Sequence, residues 1–241
     1  MVFSSVTFLF FFLPLFLASY FLVPSIRGKN LLTLAFSLVF YAWGEPWFVF
    51  ALLGSIGCNF TAAIIIDAAP EARRRLALIA AVTLNLLLLG LFKYAEFAVA
   101  NLDRLLAPLH LHLPAPKIEL PLGISFFTFH CISYVTDVYR RRFRANRNPV
   151  EVALYIALFP QLVAGPIVRY ATVARQLGAR RHTLACASAG ARIFVVGLAQ
   201  KVLVADLVAP LADRVFDHTA HPSLLAAWTG LIAYTVQIYF D

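Results

Sequence analysis

Uncharged apolar blocks alternate with short charged stretches along this chain. Residues 3–23 carry no charge, and as a helix they are long enough to cross about 30 Å of hydrocarbon. A cleavable leader has a basic start and a shorter apolar core, so this block predicts a retained first helix. After Arg27 and Lys29, the uncharged stretch from Asn30 to Ile66 is broken once, at Gly44-Glu45-Pro46. Proline ends helices and a carboxylate is costly at mid-membrane, so the tripeptide predicts a turn between spans 30–43 and 47–66. Further spans are predicted at 76–92, 118–139, 184–205 and 224–240, with polar stretches at 101–119 and 206–223.

Orientation follows from the basic residues. With the N-terminus outside, the stretches at 24–30, 67–75 and 140–149 fall on the cytoplasmic side, carrying Arg27 and Lys29, Arg73 to Arg75, and five arginines from Arg140 to Arg147. A spanning 150–168 would export Arg169, Arg175, Arg180 and Arg181. Pro160, Gly165 and Pro166 also interrupt it, so the segment is predicted to dip in and return as a re-entrant hairpin. The expected architecture is an all-α polytopic membrane protein forming one transmembrane domain over 1–241. Composition agrees: 61% of residues are hydrophobic and 13% charged, too apolar for a soluble globule or a disordered chain. The net charge of +8 is explained by loop topology, without nucleic acid as a partner. The last apolar block reaches Asp241 with no polar exit, which predicts the N-terminal part of a longer protein.

Candidate chemistry is sparse. Span 118–139 is polar, with Ser125, Thr128, His130, Ser133, Thr136 and Asp137. His130, Ser133 and Asp137 share a helix face, but with serine in the middle they order wrongly for a hydrolytic triad. His130 has two readings, a residue lining a substrate path or a satisfied neutral imidazole. His110 and His112 diverge as alternate residues, and His218 and His221 suit a solvated loop, so no metal site is expected. Cys58, Cys131 and Cys186 are isolated, and no phosphate-loop or nucleophile-elbow motif is present.

Three stretches go further. Leu120-Pro-Leu-Gly-Ile-Ser-Phe-Phe-Thr-Phe-His130, continuing to Arg140, resembles a hallmark segment of bacterial membrane-bound O-acyltransferases. Phe159-Pro-Gln-Leu-Val-Ala-Gly-Pro-Ile-Val-Arg-Tyr170 resembles the next, and Met1 to Ser5 with Phe40-Tyr-Ala-Trp-Gly44 resembles the alginate-type branch. His130 departs from the glutamine expected there. The resemblance implies a ring of tilted helices around a tunnel in the bacterial inner membrane. It also implies acetyl-CoA or another acyl thioester as cytoplasmic donor, with no bound cofactor. The acceptor would be polysaccharide, with a periplasmic acetyltransferase as partner. Ser125, Thr128, His130 and Ser133 are the candidates for lining the tunnel. The family's catalytic histidine lies beyond the point matching Asp241, so no catalytic residue is expected in this chain. The competing reading is a non-enzymatic scaffold or transporter for exopolysaccharide export, with the polar span lining a conduit.

Overall fold

The computed structural model describes residues 3–106, 119–162, 165–180, 182–217 and 223–241. His110, His112, His218 and His221, and part of the proposed hairpin at 163–164, lie outside them. The described residues are helical, without strands. They fall into two units, one from Pro14 to Arg180, the other combining the residues up to Leu13 with those after Arg180.

The division falls at the start of α1 (Leu13–Leu22), which continues from a π-helical turn at Phe8–Phe12 belonging to the second unit; from Pro14 on, α1 belongs to the first. Pro14 cannot donate to the carbonyl four residues back, and the wider turn brings the Leu13 N–H onto the Phe8 carbonyl. Helix α2 (Ile26–Gly44) starts earlier than the predicted 30, because the Ser25 hydroxyl accepts the Gly28 N–H at 3.1 Å and caps it. It ends where Pro46 forbids continuation. Helix α3 (Phe48–Ala68) stops ahead of Pro70, with Ala69 extended as a residue before proline usually is.

Helix α4 (Glu71–Leu106) corrects the predicted span of 76–92 and the start of the polar stretch at 101. Neither Lys93 nor Glu96 ends a helix. From 91 to 106 the chain contains no glycine or proline, so it stays helical past the apolar block. Helix α5 (Ile124–Tyr139) begins later than the predicted 118, because Gly123 is left-handed with φ 72° and the Pro121 carbonyl closes a turn onto Ile124. Helices α3 and α4 form an antiparallel hairpin tied at mid-height by Asn59 and Asn85, whose amides exchange hydrogen bonds of 3.0 and 2.7 Å. Helix α5 is buried on most sides against this pair.

Helices α6 (Pro149–Ala157), α7 (Phe159–Leu162) and α8 (Tyr170–Gly178) complete the unit. Asn148 caps α6, whose Val152 to Ala157 are all buried. The break at Leu158 lets the Phe159 N–H reach the hydroxyl of Ser37, halfway along α2. The chain then turns back. Gly165 lies so close to Pro160 and Gln161 that a Cβ there would meet backbone at 2.5–2.7 Å.

In the second unit, α9 (Leu184–Gln200) runs through a π-helical turn at Lys201–Ala205 into α10 (Asp206–Phe216). Residues 206–216 are thus helix rather than the expected polar connection. Helix α10 continues through Pro210, which supplies no N–H to the ladder. Helix α11 (Leu224–Phe240) packs on α10 so closely that a Cβ on Gly230 would meet Val215 at 2.7 Å. Lys201 forms ion pairs with Asp206, at 3.1 Å, and with Asp241.

Candidate functional site

His130 sits midway along α5 with no exposed surface. Its Nδ1 lies 2.9 Å from the Phe126 carbonyl. A carbonyl only accepts, so Nδ1 carries the proton and Nε2 is left as an acceptor. That Nε2 is buried without a hydrogen-bond partner among the described residues, as are Thr128 Oγ1 and the Tyr41 hydroxyl. The imidazole meets the Tyr155 ring edge-on, with centroids 5.4 Å apart. Ser133, one turn along, lies within reach of the Tyr155 hydroxyl, which donates to the Val168 carbonyl at 2.8 Å.

His130 and Ser133 therefore both face Tyr155 on α6. Thr128 is buried about 160° away around α5, and Ser125 is half-buried between these directions. Asp137 is engaged by Arg142 at 3.2 Å, so His130, Ser133 and Asp137 do not assemble as a triad. Among the described residues, no three histidine, cysteine or carboxylate side chains cluster to hold a metal.

The basic segments 73–75 and 140–147 meet at one end of the first unit. Arg74, 2% exposed, joins three helix ends there. Its Nε donates to the Ile66 carbonyl at 2.9 Å, its Nη2 to those of Val138 and Tyr139 at 3.3 and 2.9 Å, and its Nη1 to Glu71 at 3.2 Å. Arg141, with φ 54°, reaches the same Glu71 oxygen. Glu71 lies ahead of the apolar stretch of α4. The Arg74 hydrogen bond, with a smaller contribution from Arg141, holds its carboxyl below the ordinary value. Asp67, Arg74, Arg141 and Arg144 border a cavity of about 250 Å³. Nearby, Asn146 accepts the Asn148 N–H and donates to Glu151 at 2.7 Å and the Tyr170 hydroxyl at 2.6 Å, while its own N–H reaches Tyr134. Asn30 donates to the Leu177 carbonyl at 2.8 Å and accepts from Arg180. Both flanks of the 150–168 segment thus lie at one end.

Sequence reasoning did not single out Arg74, Asn146, Tyr155 or the Asn59–Asn85 pair. Of these, only the asparagines carried a signal, as amides inside apolar runs.

An all-helical chain with three helices long and apolar enough to cross a bilayer, and large apolar side chains such as Leu87, Phe97 and Ile193 facing outward, is a membrane protein. Its relatives sharpen that class. The chain is 42% identical over 246 residues to a probable alginate O-acetylase of Azotobacter vinelandii, and 42% over 244 residues to that of Pseudomonas aeruginosa. It is 32% identical over 274 residues to a peptidoglycan O-acetyltransferase of Helicobacter pylori. Each similarity covers 100% of this chain and 48%, 46% and 51% of the relative, so the chain spans about half the length of the curated relatives it matches. No protein-family model and no solved structure matches it.

Proposed function

We propose that this chain serves in a membrane-bound O-acyltransferase of the alginate type. The enzyme would pass an acetyl group from a cytoplasmic thioester, acetyl-CoA or an acyl carrier, toward polysaccharide hydroxyls outside the bacterial inner membrane. The observation that carries this reading is similarity over the chain's whole length, at 42% identity, to proteins named alginate O-acetylase. A charged thioester cannot cross hydrocarbon, so the acyl group needs a polar path through the protein. His130 and Ser133 supply one wall of that path, with Tyr155 opposite. Ser125 and Thr128 stand further round α5.

In this reading 150–168 enters and leaves from the cytoplasmic side, which keeps Arg169, Arg175 and Arg180 inside. His130 lines the path and does not perform the transfer. A periplasmic acetyltransferase receives the acyl group.

The test is a chimera in which this chain replaces the matching half of an alginate O-acetylase, in cells lacking the native copy. Acetate esters on the secreted polymer support the proposal. A stably inserted chimera that exports unacetylated polymer overturns it and favours a scaffold or transporter.

A further inference from the structure

We propose that Lys29 and Arg180, with the aromatic slot beside them, form a binding site for an anionic phospholipid. Two cations converge there on one ring: Lys29 Nζ lies 5.0 Å and Arg180 Cζ 5.7 Å from the centroid of Tyr20. Like charges repel, and a facing pair is ordinarily held by a carboxylate. Among the described residues no carboxylate lies within ion-pair distance of either. The guanidinium is nevertheless oriented. Its Nη2 donates to Asn30 Oδ1, and Asn30 is itself fixed by its bond to the Leu177 carbonyl. Among the described residues the Nε–H of Arg180 is buried without a partner, a donor that a phosphate oxygen at the same guanidinium would satisfy.

The lining beside these cations selects the rest of the ligand. A cavity of about 240 Å³ runs between Phe16, Leu17 and Tyr20 of α1 and Phe159 and Pro160 of α7, with Arg180 at its border. Phe16 and Phe159 meet edge to face at 5.4 Å within it. Phosphate alone would use the cations and leave this apolar slot to water. A phosphate bearing an acyl chain uses both, and basic pockets at the cytoplasmic edge of transmembrane helices take anionic headgroups in this manner. The second basic cavity differs, since Glu71 already pairs with Arg74 and Arg141 and a second carboxylate, Asp67, lines it. The inference needs only a bilayer around the first unit and is independent of the acetyl-transfer reading.

Lipid binding to the purified, unmodified chain in neutral detergent tests it, by native mass spectrometry and thermal melting. Phosphatidylglycerol should bind roughly tenfold to thirtyfold more tightly than phosphatidylcholine, the scale expected of two cations near a headgroup. The K29Q/R180Q double variant should lose that preference, and R144Q should keep it. Leu17→Trp, which fills the slot and leaves both cations, should weaken phosphatidylglycerol binding without unfolding the chain. Equal binding of the two lipids overturns the proposal, as does a preference that survives in K29Q/R180Q. So does competition by glycerol phosphate as strong as by the intact lipid, which would mark a phosphate site only. Should the double variant not fold, the unmodified chain and Leu17→Trp still decide.

Discussion

Arg74 carries more of the first unit's integrity than any other single side chain described above, because its fork joins α3, α4 and the end of α5. A lysine places three donors at one point and cannot reach carbonyls on two helix ends at once. R74M should therefore lower stability by about 3 kcal/mol, leaving terminal carbonyls unpaired, and R74K should recover less than half of that. Unfolding in detergent measures both. The Arg74–Glu71 contact also sets a pH dependence. A carboxyl whose folded value is depressed stabilises the fold above its unfolded value near 4.5 and loses that contribution as pH falls through the folded one. Melting temperatures of the chain and of E71Q should differ most above about pH 4.5 and converge as pH falls through the lowered folded value. At His130, glutamine can still donate to the Phe126 carbonyl, so H130Q should unfold within about 1 kcal/mol of the unmodified chain. H130A, which leaves a cavity beside Tyr155, should cost about 2 kcal/mol. The burial of Arg74 was not legible in Arg73-Arg74-Arg75. Three adjacent arginines look alike, and only the register of α4 against carbonyls 64 and 65 residues away selects the middle one.

At the scale of elements, helix boundaries were readable at Pro46, at the start of α9 and at both ends of α11, and not where the end of an apolar block was the sole signal. Pro46 ended α2 where the sequence indicated, since a missing N–H and a ring clash act locally. The end of α4 was misplaced because an apolar block reports a membrane-sized stretch, whereas a helix continues as long as its backbone permits. The polar face of α5 was legible residue by residue. That His130 and Ser133 look toward Tyr155 was not, because it depends on how α6 packs against α5, a contact between helices that neither sequence pattern records. Gly165 holds the return of that segment against Pro160. Gly165→Ala would drive a methyl group into backbone that cannot rotate away. It should cost at least about 2 kcal/mol and raise proteolytic cleavage between Leu162 and Tyr170, measured by limited digestion. The asparagine pair between α3 and α4 is a milder tie, of the order of 1 kcal/mol within lipid.

For the molecule as a whole, the charge pattern said more than the apolar blocks. The sequence groups Arg27, Lys29, Arg73 to Arg75 and Arg140 to Arg147 on one side by the bias of loop charge, an orientation that labelling would test. The contact of Arg74 with Tyr139 joins the 73–75 and 140–147 segments, and that of Arg180 with Asn30 joins the start of α2 to the end of the α8 region. A cysteine at Arg175, in a background lacking the exposed Cys58 and Cys186, should resist an impermeant maleimide added to intact spheroplasts and react once they are opened. Ready labelling from outside would mean that 150–168 crosses the bilayer.

The Ser37–Phe159 hydrogen bond spans 122 residues and the Asn30–Leu177 bond 147. During synthesis, α2 is therefore made long before its polar groups meet their tertiary partners. Nascent chains halted short of Leu177 would present an unsatisfied amide to surveillance proteases. Slowing translation across this interval should lower the yield of inserted protein far more than an equal delay after Gly178.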